Sequence, residues 1–337
     1  MKRFVRNLTL FLLVQLVIWL VVIWVYTRCR PFGQHYIAAS IDKQSLLEHE
    51  ASPRIVFVGG SNLAFGIDSE EVRKQLGYQP VNMGLHANLG LEFMLNEAKS
   101  GLRQGDVVVL SPEYELFGEA YAGTGEILYT ALEQHPGNIK FFSRHDVLPL
   151  LDDGYVLASR IIDYDLRYLG GAKVPYDIHD PNNAYRRTGF DHHGDMIAHL
   201  SLPPKPLEIY SMGSSINRAD IDRAIADINS FRDFSEKRGV KIFYSYPMVS
   251  QPYFEQNQEA INQIAAALRR ELKFPIVNTP QEMYLPPDNF FDTYYHLNRR
   301  GRQKRTDLLI ERLTERGIKV ESEGKHVQGD GDTGSAK

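Results

Sequence analysis

The feature that most constrains how this chain folds is an uncharged apolar stretch, residues 8–26, close to the N-terminus. As a helix it would be about 28 Å long, close to the thickness of the hydrocarbon core of a bilayer. A cleaved signal peptide has a shorter apolar core followed by small residues, whereas Trp24, Tyr26 and Arg28 stand at the end of this one. The sequence therefore predicts a single retained transmembrane anchor.

Basic residues are distributed unevenly around the predicted anchor. Three of them lie in the preceding segment, residues 1–7, whereas Arg28 and Arg30 follow the apolar stretch. Because flanks rich in Lys and Arg tend to stay in the cytoplasm, we expect a cytoplasmic N-terminus and a main domain on the outer side of the membrane. The opposite orientation would leave the main domain in the cytoplasm.

The overall charge and the cysteine content exclude several classes of protein. The sequence has 38 basic and 42 acidic residues, and a net charge of -4 provides no basic surface of the kind that binds nucleic acid. Cys29 is the single cysteine, so a monomer can form neither an internal disulfide nor a cysteine-ligated zinc site.

The rest of the sequence alternates short apolar runs with helical patterns. After a predicted juxtamembrane connector, residues 27–52, the runs have the length of buried parallel strands: residues 54–58, 80–83, 106–111, 240–246 and 274–278. This alternation predicts a three-layer α/β domain over residues 53–320.

Two segments depart from this alternation. Residues 119–217 are rich in Tyr, Asp, His, Gly and Pro, and we interpret them as an insertion between the third and fourth strands. The insertion is either a cap that faces substrate or an elaborated surface subdomain. Residues 321–337 are polar with no apolar period, which predicts a disordered tail.

Candidate catalytic residues stand at two places along the sequence. The first predicted strand runs into Gly59-Gly60-Ser61, which places a serine at the carboxyl end of a parallel strand, where ligands bind in open α/β sheets. Asp292 and His296 stand just before the last predicted helix. A nucleophilic serine needs a base, and the histidine needs an acceptor at its other nitrogen. The sequence thus predicts these three as catalytic, although Gly-Gly-Ser is also a common turn.

An early serine with a late aspartate-histidine pair resembles the SGNH (GDSL-like) hydrolase superfamily, over residues 54–318. The resemblance implies a flavodoxin-like α/β/α fold with a parallel sheet and no cofactor. It also implies that Ser61 is the nucleophile, that Asp292 and His296 form the acid-base block, and that the backbone N–H of Gly84 helps to form the oxyanion hole.

The sequence departs from the superfamily pattern at three positions. Gly60 replaces the usual aspartate, three residues instead of two separate Asp292 from His296, and Ser111-Pro112-Glu113-Tyr114 stands where Gly-x-Asn-Asp is expected. The superfamily's remaining oxyanion donor is therefore not assigned by the resemblance.

Five further residues are candidates for oxyanion or substrate binding. Asn88 and Asn62 could donate to an oxyanion, although an asparagine near a helix start is often a cap. Glu113, Tyr114 and Glu115 follow a predicted strand and could line the substrate pocket, or the two carboxylates could form a solvated turn.

The anchor, the strand that ends at residues 109–114 and the Gly-Ser-x-Leu turn resemble DltD-like proteins of teichoic acid D-alanylation and related polysaccharide O-acylation systems. This resemblance implies an extracytoplasmic O-acyltransferase in a bacterial plasma or inner membrane that works through an acyl-serine intermediate. Its partners would be a membrane-bound O-acyltransferase and a cell-surface glycan or teichoic-acid-like polymer. The alternatives are an envelope esterase or deacylase, and a catalytically silent scaffold or glycan-binding partner.

Two polar clusters allow more than one interpretation. Residues 191–195 and His199 contain imidazoles and carboxylates that could hold a metal, but we favour a polar loop that lines a glycan cleft together with Tyr185. The basic run at residues 299–305 is more consistent with a solvated helix face than with a groove for an anionic polymer.

Overall fold

The computed structural model describes residues 1–29, 33–171, 180, 182–212 and 216–320. The predicted tail lies outside the described residues. Four strands form the central sheet: β1 Arg54–Val58, β2 Gln79–Asn82, β3 Val107–Leu110 and β4 Lys241–Tyr244. They are parallel throughout, in the flavodoxin-like order β2-β1-β3-β4. The predicted parallel α/β fold is confirmed.

The fifth predicted strand is reduced to a single contact. Residues 274–278 contribute an isolated parallel bridge between Tyr244 and Ile276 instead of a full strand. Two very short strands, β5 Val249–Ser250 and β6 Tyr284–Leu285, form a separate parallel pair.

Helices surround the sheet. In chain order they are α1 Lys2–Cys29, α2 Ala39–His49, α3 Ser61–Gly66, α4 Ser69–Leu76, α5 Leu91–Lys99, α6 Gly125–Gln134, α7 Val147–Asp152, α8 Gly154–Leu169, α9 Arg218–Glu236, α10 Gln251–Gln256, α11 Gln258–Glu271 and α12 Arg299–Thr314. The first of them, α1, is long and apolar enough to span a bilayer, and its side chains are largely exposed.

Both faces of the sheet are covered. Alternate residues of each strand point to opposite faces, so that Val56 and Val108 join one buried cluster while Phe57 and Val109 join another. Helices α5, α9 and α11 supply side chains to the first cluster, and α4 and α12 to the second. The predicted three-layer arrangement follows from this packing.

Part of the predicted connector belongs to the folded core. Helix α2 lies within residues 27–52, and Ala39, Lys43 and Leu47 on one side of it are buried. The Lys43 ammonium donates to the carbonyl oxygens of Asn82 (2.8 Å) and Gly194 (2.5 Å). Burial lowers the pKa of Lys43 to about 8. The folded domain therefore begins before residue 53.

A buried carboxyl group between α2 and α5 makes stability depend on pH. Glu97 is 3% exposed and accepts a hydrogen bond from Gln44 (2.9 Å). Desolvation raises the pKa of Glu97 from 4.5 to about 7, although Gln44 and Lys43 oppose the shift. Between these values the folded state binds more protons than the unfolded chain, so stability falls as the pH rises.

We expect Glu97→Gln to flatten this dependence, because glutamine keeps an acceptor oxygen but cannot ionise. Between pH 5 and 8 the wild type should lose roughly 3 kcal/mol of unfolding free energy relative to the variant. Thermal and urea unfolding of the full chain in detergent would measure the difference. The exposed Glu48→Gln is the matched control, and parallel pH profiles for wild type and Glu97→Gln would contradict the prediction.

Candidate active site

Ser61 stands at the carboxyl edge of the sheet, as predicted. Strand β1 ends at Val58, two glycines follow, and α3 begins at Ser61 itself. Ser61 is partly exposed and lines a cavity of about 310 Å³ together with Asn88 and His296. Its hydroxyl has no hydrogen-bond partner among the residues that the structure describes. The position leaves the hydroxyl oxygen available to a ligand in the cavity.

His296 and Asp292 form a hydrogen-bonded pair beside this cavity. The imidazole Nδ1 lies 2.9 Å from Asp292 Oδ1, and the backbone N–H of His296 donates to the Thr293 hydroxyl (3.1 Å). The pair lies in the loop before α12, so loop geometry and not a helical repeat brings the two side chains together. Burial opposes ionisation of Asp292, but the hydrogen bond and the charge of His296 outweigh it and lower the carboxyl pKa.

Tyr185, from the predicted insertion, completes the surroundings of the pair. Its hydroxyl donates to Asp292 Oδ2 (2.7 Å) and lies 3.0 Å from His296 Nδ1. Burial and the negative charge of Asp292 raise the pKa of Tyr185, so the hydroxyl stays a proton donor. Within the described part of the chain, Nε2 of His296 has no hydrogen bond. With a proton on Nδ1 facing Asp292, Nε2 carries the lone pair that a general base requires.

Phe65 packs flat against the His296 ring. The two ring centroids are 3.9 Å apart and the planes differ by 8°. Phe65 is four residues after Ser61 on α3, and this spacing places the two on the same side of the helix. Neither Phe65 nor the bond from Tyr185 to Asp292 is expected from the sequence pattern. The i,i+4 relation to Ser61 is the one signal that points to Phe65.

Glu113 holds the turn before Ser61 and does not line the cavity. Its carboxylate is fully buried and accepts hydrogen bonds from the backbone N–H groups of Gly60 (3.0 Å) and Asn62 (2.9 Å). A Cβ on residue 60 would lie 2.6 Å from Glu113 Oε2 and closer still to Oε1. The absence of a side chain at residue 60 therefore makes room for the Glu113 carboxylate, and we call this relation the 60–113 exchange. The predicted substrate-lining role of Glu113 is corrected to support of the turn.

Asn62 also faces the interior. Its side chain donates to the Ser111 carbonyl oxygen (2.9 Å) and accepts from Arg305 (2.7 Å), so it is not available as an oxyanion donor. Burial lowers the pKa of Arg305 to about 10. Arg302 is likewise buried and donates to Asp195 (2.7 Å). These two arginines of the basic run are structural, which corrects the predicted solvated face.

The two remaining oxyanion candidates differ in their surroundings. The Gly84 N–H donates to the Asn82 side chain (2.9 Å), and a Cβ on Gly84 would lie 2.7 Å from the Ala64 nitrogen. This glycine thus permits close packing onto α3, a different role from the predicted one. Asn88 lines the cavity, and over the described ranges its side-chain amide has no hydrogen-bond partner. His86, not Asn88, caps this turn, through Nδ1.

Residues after β3 divide between core and cavity. Tyr114 is fully buried, and its N–H donates to the Tyr295 hydroxyl (2.9 Å), so it does not line the pocket as predicted. Glu115 does line the cavity, and its carboxylate accepts hydrogen bonds from the hydroxyl groups of Tyr253 (2.6 Å), Tyr295 (2.8 Å) and Tyr294 (3.2 Å). Desolvation raises the pKa of Glu115 despite these bonds.

The histidine-rich segment has structural partners. Asp195 is fully buried and accepts from Ser69 (2.7 Å) and Asn82 (2.7 Å), while His199 lies 2.9 Å from the Leu297 carbonyl oxygen. His193 contacts Glu70 at 3.4 Å. No group of three or more His, Cys, Asp or Glu side chains within the described residues is arranged to hold a metal ion.

Comparison with known proteins finds similarity among solved structures. No protein-family model matches the chain, and no curated protein matches it. An acetyl xylan esterase from the rumen bacterium Butyrivibrio proteoclasticus is 11% identical, with a TM-score of 0.32. The match covers 80% of this chain and 66% of the esterase, so this chain spans just under two thirds of that protein's length.

Proposed function

We propose that this chain is a membrane-anchored, extracytoplasmic serine O-acyltransferase of the SGNH type, which modifies a cell-envelope polymer by D-alanylation or O-acetylation. The observation that carries the proposal is that Ser61 and the paired His296 border the same cavity, with Asp292 bound to Nδ1. A serine hydroxyl and an imidazole with an oriented second nitrogen are the groups that form an acyl-enzyme.

The proposed reaction has two steps. Ser61 Oγ attacks the carbonyl carbon of an acyl donor while His296 Nε2 takes the hydroxyl proton and passes it to the leaving oxygen. An acceptor hydroxyl then attacks the acyl-serine ester, its proton moves to Nε2, and that proton returns to Ser61 as the ester bond breaks. Asp292 stays ionised and stabilises the imidazolium in both steps.

Two hydrogen-bond donors are suited to the oxyanion that forms in each step. Glu113 engages the N–H groups on either side of Ser61, and the Ser61 N–H, as the first of α3, has no acceptor within that helix. The Asn88 amide lies in the same cavity. We assign these two donors to the oxyanion hole, in place of Gly84 and Asn62.

The space beside the cavity favours transfer over hydrolysis alone. A second cavity of about 400 Å³ shares Asn88, Glu115 and Tyr294 with the first, and Tyr210 lines its far side. Such a polar, aromatic extension suits a hydroxyl-rich acceptor. An envelope esterase that uses water as acceptor is the alternative, and a competition assay in which a polyol acceptor diverts acyl groups from hydrolysis would distinguish the two.

Location and partners belong to the same proposal. The exposed apolar helix α1 would anchor the chain, and the basic residues that precede it favour an outer-side domain. A membrane-bound O-acyltransferase would supply the acyl group, and a glycan or teichoic-acid-like polymer would receive it.

Labelling with a fluorophosphonate probe tests for an activated serine. The full chain in detergent should gain one adduct by intact mass, Ser61→Ala should gain none, and the exposed control Ser201→Ala should label like the wild type. Lack of an adduct on the folded wild type, or labelling that persists in Ser61→Ala, would reject the enzyme and favour the scaffold or glycan-binding alternative.

We expect Asn88→Ala to lower kcat roughly a hundred- to thousandfold, the usual cost of removing one oxyanion donor. KM should change little, because the bond forms chiefly in the transition state. The thermal unfolding midpoint should stay unchanged, since the amide has no partner in the described structure to lose. Hydrolysis of an activated acyl ester measures the effect, and an unaltered kcat would exclude Asn88 from the oxyanion hole.

A further inference from the structure

Large exposed apolar side chains outside α1 are concentrated on α7 and α8. Six of them recur at intervals of three, four or seven residues and are between 42% and 77% exposed. We call them the α7–α8 stripe: Leu148, Leu151, Tyr155, Ile162, Leu166 and Leu169. Contiguous apolar surface of this kind on a folded domain marks a site of contact with a protein or a membrane.

The α7–α8 stripe lies beside the proposed anchor. Helix α8 packs against α1, where the ring of Tyr164 meets that of Tyr26 edge to face with centroids 5.7 Å apart. The Tyr26 hydroxyl also donates to Glu133 of α6 (2.9 Å). Aromatic residues at the end of an apolar helix are typical of the membrane–water interface. Tyr164, which lies between Ile162 and Leu166 of the stripe, is therefore at the level where α1 would leave the bilayer.

The other side of α8 is turned toward the protein. Arg160 pairs with Glu126 of α6 (3.0 Å), and Tyr164 and Asp165 are buried. The polar contacts thus face the domain and α1, and the stripe faces away from them. Because interfacial binding strengthens with the apolar area that is buried, six partly immersed side chains would add substantial membrane affinity.

We propose that the α7–α8 stripe rests in the interfacial layer of the bilayer, with lipid acyl chains as its partner. The proposal rests on anchoring by α1 and goes beyond it. The charge of this region indicates how it would contact the membrane. In residues 147–169 the acidic residues outnumber the basic ones: Asp152, Asp153, Asp163 and Asp165 against Arg160 and Arg167. Without a basic face, attachment depends on apolar burial and not on attraction to anionic lipids.

This contact gives the insertion a function. The stripe and Tyr185 belong to the same segment between β3 and β4, and Tyr185 donates to Asp292 of the proposed active site. With the stripe on the bilayer, the insertion that supplies Tyr185 to the proposed active site would lie at the membrane surface. The acyl donor or acceptor would then be membrane-bound or membrane-proximal.

Site-specific fluorescence in proteoliposomes tests the proposal with the full chain. Cys29→Ser removes the native cysteine, and each variant then carries one new cysteine labelled with an environment-sensitive fluorophore. The new cysteines are Leu20→Cys in α1, Leu151→Cys and Leu169→Cys in the stripe, and Lys304→Cys at an exposed position of α12. Lipids with nitroxide-labelled acyl chains should quench the first three positions and spare the fourth, whereas aqueous iodide should do the reverse. Neither pattern should change with salt or with the fraction of anionic lipid.

The quenching results distinguish failure of the proposed stripe contact from failure of anchoring by α1. Quenching by labelled lipid at Leu20→Cys but not at Leu151→Cys and Leu169→Cys would overturn the membrane contact while anchoring stands. Absence of lipid quenching at Leu20→Cys would overturn the anchor and the inference together. Protection of the stripe positions from both quenchers would indicate burial against a second copy, and quenching that requires anionic lipid would indicate an electrostatic mode; either result rejects the proposal.

Discussion

Replacing His296 with alanine is expected to lower kcat for ester turnover by roughly a millionfold, and Ser61→Ala should have a similar effect. The two residues act on the same proton, so the double variant should be no slower than either single one. Steady-state hydrolysis of an activated acyl ester by the full chain in detergent measures all three. KM should stay within a few-fold, because neither side chain is needed to hold the acyl group in the ground state.

The control for this experiment is His192→Ala, which removes an exposed imidazole outside the cavity and should leave kcat unchanged. Thermal unfolding of Ser61→Ala should match that of the wild type, because the hydroxyl has no hydrogen bond in the described structure. A double variant markedly slower than each single variant would show independent roles, and the proposed mechanism would be wrong.

Some parts of the architecture could be predicted because local pattern determines them. Apart from the buried Arg54, the residues of β1 and β3 are all apolar, as is typical of strands buried on both faces. The sequence therefore predicts both strands, from runs of five and six residues. The carboxyl edge of a parallel sheet then follows from strand direction, and this places Ser61 at one border of the cavity. The position of His296 at the same cavity was expected from the resemblance and from its location before α12.

The buried charged residues could not be predicted, because their partners are distant in sequence. Glu113 and Arg305 belong to residue types that are rarely fully buried. The sequence therefore predicts a pocket-lining residue or a solvated turn for Glu113, and it favours a solvated helix face for Arg305. Their burial depends on contacts across 51 and 243 residues, through Asn62 of α3. Likewise, nothing near Tyr185 in the sequence indicates a bond to Asp292, 107 residues away.

The sequence does not predict that helix α2 belongs to the folded core, and the reason is a different one. The sequence of α2 carries no clear apolar stripe, and residue 43 is a lysine, so the sequence predicts a connector here. The lysine is buried because two main-chain carbonyl oxygens, those of Asn82 and Gly194, converge on its ammonium group. Every residue has a main-chain carbonyl oxygen, so a sequence does not show which of them will accept a hydrogen bond from a buried lysine, whereas the tertiary structure does.

Replacing Glu113 with alanine is expected to reduce the free energy of unfolding by roughly 3–5 kcal/mol. The buried N–H groups of Gly60 and Asn62 lose their acceptor, and the buried Arg305 loses the favourable charge of Glu113. Urea unfolding of the full chain in detergent measures the loss. The exposed Glu259→Ala on α11 should cost less than about 0.5 kcal/mol. A loss that small in Glu113→Ala would show that the carboxylate does not support the turn.

The 60–113 exchange can be tested by placing an aspartate at residue 60 and removing the carboxylate at residue 113. Gly60 has φ of -94°, which any residue adopts, so overlap with the Glu113 carboxylate is what excludes a side chain there. We expect Gly60→Asp alone to be strongly destabilising, and Gly60→Asp with Glu113→Ala to be more stable than the sum of the two single effects by about 1–3 kcal/mol. The rate of fluorophosphonate labelling at Ser61 should recover in parallel, because the turn regains a carboxylate. Additive losses in the double variant would contradict the exchange.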